Sequence, residues 1–228
     1  VSLLDSDVLP FEISGCDPEL EIGNISRPHR LFGSPFQIKN AKTYVDQLQD
    51  VGVIVERESR LSCINNLVVN HEINNKHKPD LSDELLNELT DLVESPLLLN
   101  GRFSESFLDL PPEVLSTVMK VHQRYIPLYK QNFDLDPLSL DSRNVLFPSF
   151  LCISNGLPSA KENIILGNEK VLKARFSDAS FFINSDLLIN SSSRINKLKD
   201  VTFSEGLGSL YERVKRIEWL TKLLTSKL

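Results

Sequence analysis

Few side chains in this sequence stand at spacings that do chemistry. His71-Glu72 opens like the zinc-binding helix of a metalloprotease, in which two histidines four positions apart leave one helical face and a glutamate serves as base. The next histidine here is His77. At about 100° per residue, six helical steps carry it to the opposite side from His71, so the spacing predicts one half-buried histidine, one exposed histidine and no metal centre. Gly206-Leu207-Gly208 lacks the third glycine and the preceding strand of a dinucleotide loop, and the sequence holds neither a GxxxxGKS/T phosphate loop nor a GxSxG nucleophile turn. Cys16, Cys63 and Cys152 are widely and irregularly spaced in apolar surroundings, which predicts small buried hydrophobes in a reducing compartment rather than a disulfide framework or zinc knuckle.

What remains is cationic. Arg27-Pro28-His29-Arg30, the run from Lys120 through His122 to Arg124, Lys170 with Lys173 and Arg175, and Arg213 to Arg216 put basic groups at the ends of elements or along helices. Local clusters of this kind can hold phosphate even on an acidic chain, because the field that matters acts within about 10 Å in salt. They can equally be solvated surface or structural ion pairs. Glu169 to Lys173 is a favourable i,i+4 pair, Arg175 to Asp178 an i,i+3 pair, and His122 and Arg124 could anchor the end of a helix.

The elements that would position these groups follow from the apolar pattern. Val1–Leu4 reads as a buried strand, and with the β-prone runs Val8–Ile13 and Leu20–Ile22 and the turn Ser14–Pro18 it makes a small antiparallel start. Asn40 caps a helix to Asp50 with Tyr44, Val45 and Leu48 inward, Gly52 ends it, and Val53–Val55 follows as a short buried strand. A polar helix spans Glu56 to Lys76 with Leu61, Ile64, Leu67 or Val68, and His71 docking. Ser82 opens a helix from Asp83 to Leu92, and Val93–Leu99 is a strand interrupted by Pro96, hence an edge strand or a bulge. Pro111-Pro112 starts a helix to His122, Tyr125–Tyr129 is a strand, Asn132–Asn144 a loop, and Val145–Ser154 an apolar strand closed by Asn155-Gly156. Ala160–Ile189 is helical, with a bend or boundary expected at Gly167. A last helix from about Glu205 to Leu228 carries Leu207, Leu210, Val214, Ile217, Thr221, Leu224 and Leu228 as a seam against another helix.

The chain has 228 residues, with 25 Lys and Arg against 31 Asp and Glu, a net charge of −6. Its 41% apolar and 25% charged residues suit a packed core and exclude a histone-like basic binder. No apolar run approaches the roughly 20 residues that span a bilayer. The start at Val1 predicts a piece of something longer.

Longer strings carry a resemblance. Arg27-Pro28-His29-Arg30-Leu31-Phe32, Leu108 through Leu115 with Met119-Lys120 and His122 to Leu128, Phe150 to Gly156, Gly167 through Arg175 with Ser177-Asp178-Ala179 and Phe181-Phe182, and Phe203 to Tyr211 with Arg213 and Arg216-Ile217 occur in register. In this order they resemble the beta subunit of the bacterial-type heterotetrameric glycyl-tRNA synthetase, over essentially the whole chain. The departures are the Asn132–Asn144 loop and Pro28, where glycine is more usual.

The resemblance implies an α+β fold with a mixed, largely antiparallel sheet and packed helices, similar to the editing-type domain of the phenylalanyl-tRNA synthetase beta subunit, and ending in a long C-terminal helix. It implies a domain over 1–189 and a helical extension over 190–228, with a segment before Val1 and HD-like and anticodon-binding domains after Leu228. The whole enzyme would join glycine to its tRNA in the cytoplasm of a bacterium or in a plastid. ATP and Mg would be used on a separate alpha subunit, in an assembly of two alpha and two beta chains, with no cofactor, metal or catalytic residue in this fragment and no membrane partner. Arg27, His29, Arg30, Lys120, His122, Arg124, Lys170, Lys173 and Arg175 are the expected contacts to tRNA. A scaffold that docks the alpha subunit or orients later domains is the alternative.

Overall fold

Apolar side chains at helical spacing on two helices meet alternating apolar strands, and that meeting organises the first part of the chain. A computed structural model describes residues 1–11, 13, 15, 22–130 and 142–226. The chain forms two compact units, Val1–Ser177 and Asp178–Leu228.

The first unit begins with two small hairpins, β1 (Leu3–Leu4) with β2 (Asp7–Val8) and β3 (Ile25–Ser26) with β4 (Phe36–Gln37). The expected antiparallel start is present, but Val1 and Leu4 are 55% and 63% exposed rather than buried. Most of the predicted run Leu20–Ile22 and of the turn Ser14–Pro18, part of Val8–Ile13, Cys16 and Leu228 lie outside the described residues, as does most of the Asn132–Asn144 loop. Asn40 caps a 3-10 turn, accepting from the Lys42 amide at 2.9 Å, and α1 (Tyr44–Asp50) follows. Only Leu48 of its predicted inner stripe is buried, and Val45 faces solvent. Val53–Val55 is not a strand; Ile54 donates one backbone bond to Glu94 and the rest of the segment pairs with no sheet.

Helix α2 (Arg57–Asn75) buries Ile64 and Val68, and α3 (Asp83–Leu92), capped by Ser82, buries Leu85 and Leu89. These residues form one core with Val93, Ile126, Leu128 and Leu151, with Phe147 and Ile153 packed beside it. The strands are β5 (Lys78–Pro79), β6 (Leu97–Arg102), β7 (Ile126–Tyr129) and β8 (Leu146–Ser154), ordered β5-β7-β8-β6 with every pair antiparallel. Strand β6 lies at the edge, and it begins after Pro96 because proline cannot donate to a ladder. Between the strands, α4 (Pro112–Thr117) starts on its proline and runs into a π-helical turn over Val118–His122 that the sequence pattern does not signal. Alternate residues of β8, Phe150 and Cys152, face the other way from Leu151, and there α5 (Lys161–Leu187) covers the sheet with Leu172 and Phe176. Asn168 of α5 donates to the Cys152 thiol at 3.2 Å, and Phe103 meets Phe176 edge to face at 5.1 Å. The helix runs unbroken through Gly167, so no boundary falls there.

The second unit contains the end of α5, α6 (Ser191–Arg194), a 3-10 segment Ile195–Asp200, the hairpin β9 (Thr202–Ser204) with β10 (Gly208–Ser209), and α7 (Leu210–Thr225). The predicted last helix therefore starts later than Glu205, because the segment from Thr202 to Ser209 is a hairpin. Ser209 and Glu212 close a capping box at its start. No residue of α7 is buried: Val214, Ile217 and Leu224 are 44%, 51% and 64% exposed, so the predicted seam is open. The fold is thus α+β, with small antiparallel sheets and a C-terminal helix.

Candidate nucleic-acid interface

The cations singled out by sequence divide into those the fold uses and those it leaves charged. Lys120, in the π-helical turn, donates to Asp80 at 2.9 Å with both side chains about one-third exposed or less. Arg124 stands at φ 55°, a left-handed backbone that an arginine rarely adopts, and its Nε donates to Glu88 of α3 at 2.7 Å. These two pairs tie the end of the α4 segment to the Asp80 loop and to α3, which is the anchoring role. His122 between them is exposed.

In the Arg27–Arg30 run the side chains alternate in fate. His29 is fully buried; its Nδ1 accepts from the Leu31 amide at 3.4 Å, its ring meets Phe32 edge to face at 5.5 Å, and its Nε2 has no partner. It packs the loop rather than facing a ligand. Pro28 is buried beside it, while Arg27 and Arg30 are exposed and enter no ion pair among the described residues. Arg30 borders a groove of about 800 Å³ whose walls include Arg60, Asp91, Glu94 and Asn155. Arg60, which sequence reasoning missed, donates to the carbonyls of Ile54, Val55 and Thr90. Arg57, one turn before it, holds Asp91 through two bonds of 2.7 and 3.1 Å, which draws the Asp91 carboxyl below its usual range. The structure therefore places Arg30 and Arg60 on one groove, a pairing of residues 30 positions apart that no local pattern reveals.

On α5, Lys170 and Lys173 are exposed and have no ion-pair partner among the described residues, because Glu169 turns instead to the Arg102 amide at 2.8 Å. The predicted Glu169–Lys173 pair does not form. That bond ties the end of β6 at the Arg102 backbone to α5, and Arg175 lies farther along the helix on an exposed position. Two groups with large shifts belong to packing: burial pushes the Tyr125 hydroxyl up to about 12 and the Cys152 thiol up to about 11, so neither ionises at neutral pH. Among the described residues no three metal-binding side chains converge, and no helix is long and apolar enough to cross a membrane.

The chain can also be set beside known proteins. Residues 1–228 match the family model described as glycyl-tRNA synthetase beta subunit. The glycine–tRNA ligase beta subunits of Trichodesmium erythraeum, Bacillus subtilis and Shouchella clausii are 38%, 36% and 38% identical to it over 229, 228 and 227 residues. Each alignment covers 100% of this chain, which spans 31% of the length of those relatives. The strings that hold the loop at His29, the anchored turn at Lys120–Arg124 and the α5 contact at Glu169 all lie inside that match, and the chain belongs to the glycyl-tRNA synthetase beta subunit family.

Proposed function

We infer that this chain is a part of a glycine–tRNA ligase that contributes tRNA recognition and leaves the adenylate chemistry to another subunit. Membership of the beta-subunit family along the whole of residues 1–228 is the observation that carries the reading. In that setting the substrate is the tRNA for glycine. The partner is an alpha subunit that uses ATP and Mg, the assembly has two copies of each chain, and the compartment is the cytoplasm. Arg27, Arg30, Lys170 and Lys173 supply exposed charge that no carboxylate among the described residues neutralises, the form in which a protein meets phosphate. The α+β unit is read as similar to the editing-type domain of the phenylalanyl-tRNA synthetase beta subunit, without an editing activity.

A second reading, a scaffold that docks protein, is favoured by the exposed apolar side chains of α7, Trp219 at 62% among them. Two measurements separate the possibilities. The slope of log affinity against log salt for tRNA falls when Arg27, Arg30, Lys170 and Lys173 are neutralised together in the full-length enzyme if they touch phosphate, and stays constant if the unit only docks protein. Glycine-dependent ATP–pyrophosphate exchange by this chain alone would overturn the assignment of chemistry to another subunit.

A further inference from the structure

The net charge of −6 hides an asymmetry. Residues 1–177 carry 17 Lys and Arg against 25 Asp and Glu, a net of −8, whereas residues 178–228 carry 8 against 6, a net of +2. The smaller unit is the positive one. Three of its cations are held by a ring face or a carbonyl, whereas Arg194 pairs with Asp186. Lys199 lies 5.0 Å from the centre of the Tyr211 ring, and the Arg213 guanidinium lies 4.3 Å from the centre of the Phe203 ring. Arg216 donates to the Leu207 carbonyl at 2.9 Å. A ring face or a carbonyl orients a cation without cancelling its charge, in contrast to the carboxylates that engage Lys120 and Arg124. Elsewhere on α7 a carboxylate offsets part of the charge. Glu218 takes both Lys215 and Lys222, at 2.9 and 3.0 Å, and its carboxyl is pulled down to about 2 by those bonds.

Lys199 and Tyr211 also wall a cleft of about 620 Å³ between the β9–β10 hairpin and the start of α7, with the hydroxyl-bearing Thr202, Ser204 and Ser209 around it. Of its two glutamates, Glu212 is engaged by the Ser209 amide at 2.7 Å, and Glu205 is exposed. Pre-oriented, unneutralised cations beside hydroxyl donors and an aromatic ring suit a sugar–phosphate chain, whose charge is regularly spaced and whose sugars and phosphates accept hydrogen bonds.

We propose that this face, Lys199 with Arg213 and Arg216 around the β9–β10 hairpin and the first turns of α7, contacts the RNA backbone. The proposal rests on the tRNA-recognition reading and joins the Arg213–Arg216 patch to Lys199 and the β9–β10 hairpin, which the sequence pattern did not bring together. Lys199 and Arg213 meet phosphate, and Glu205 opposes it.

The test uses the full-length assembled enzyme and the tRNA for glycine, with apparent Kd read at several salt concentrations. K199A together with R213A should lower the slope of log affinity against log salt by about 1.5, since each phosphate contact contributes roughly 0.7–0.9. The loss at low salt is then about tenfold. K199R should restore the Lys199 share of the slope, which a merely structural lysine would not require, and Glu205→Gln should tighten binding. The proposal is overturned if slope and Kd stay at wild-type values in a folded double variant. It is equally overturned if the double variant weakens recovery of the alpha–beta complex on gel filtration with the slope unchanged, which would make the face a protein contact. The set Arg27, Arg30, Lys170 and Lys173 distinguishes the two levels. If neutralising it lowers the slope while K199A/R213A does not, only this surface fails; if neither does, the recognition reading fails with it.

Discussion

The imidazole of His77 lies 6.0 Å from that of His71, centroid to centroid, although six helical steps would set them on opposite sides of α2. The helix ends at Asn75, and Lys76 adopts the left-handed conformation at φ 55°, which reverses the chain and returns His77 toward the helix. There its ring packs on Phe147 of β8 at 3.9 Å. His71 Nε2 and His77 Nδ1 are both buried without a hydrogen-bond partner.

This arrangement makes stability depend on pH. Burial holds both histidines below the ordinary 6.5, and at His71 the nearby His77 adds to the effect. As pH falls through 6.5 the unfolded chain binds protons that the folded chain refuses, so this contribution is present above that pH and is lost below it. Between about pH 7.5 and about pH 5.5 the Tm of the wild type should fall more steeply than that of His71→Gln or His77→Gln. Parallel declines in the three proteins would refute the account.

The ion pairs of Lys120 and Arg124 should read out as stability and not as affinity. Lys120→Ala and Arg124→Ala each remove one half-exposed pair worth up to about 1 kcal/mol, or roughly 2–4 °C in Tm for a chain of this size. Arg124→Gly loses the same pair but relieves the left-handed backbone at φ 55°, so it should be less destabilised than Arg124→Ala. Thermal melts of the three variants check the order, and tRNA affinity at fixed salt should stay within twofold of wild type.

Gly101 of the edge strand β6 has no room for a side chain. A Cβ there would stand 2.5 Å from the Phe150 ring, which is fully buried and stacked on Tyr125 at 4.6 Å. Gly101→Ala should therefore cost about 1–3 kcal/mol of overpacking even though alanine suits a strand better than glycine. Adding Phe150→Leu makes space at the same point, so the double variant should be less destabilised than the sum of the two single changes, as measured by a double-mutant cycle in urea.

What the sequence revealed was local. The Ser82 cap and the helix from Asp83 to Leu92 agree with the pattern because a cap and an amphipathic stripe are decided within a few residues. Gly167 misled because one glycine costs a helix about 1 kcal/mol, less than the burial of Leu172 and Phe176 returns. Positive φ at Lys76 and Arg124 left no sign, since neither is a residue type that marks such a turn, and the placement of His77 and the strain at Arg124 were hidden with them. The hairpin at Thr202–Ser209 is too short to show a period. The division of the cations into anchored and free was illegible for a different reason: Asp80 and Glu88 lie 40 and 36 residues from their partners, and only the fold brings them together.

Helix α7 carries the last prediction. Ile217, Trp219 and Leu224 are 51%, 62% and 64% exposed, and apolar surface of that extent on one short helix is a cost in water that association can remove. Residues 1–228 expressed alone should self-associate through α7, with sedimentation velocity showing a concentration-dependent shift to larger species. Trp219→Glu with Leu224→Glu should return the chain to a monomer. Two side chains contribute about 3 kcal/mol or more when covered, enough to weaken self-association more than a hundredfold. Because neither residue contributes to the folded core, Tm should not drop in the double variant. A wild-type chain that sediments as a monomer at all concentrations, or a double variant that melts early, would show that these residues are not a contact surface.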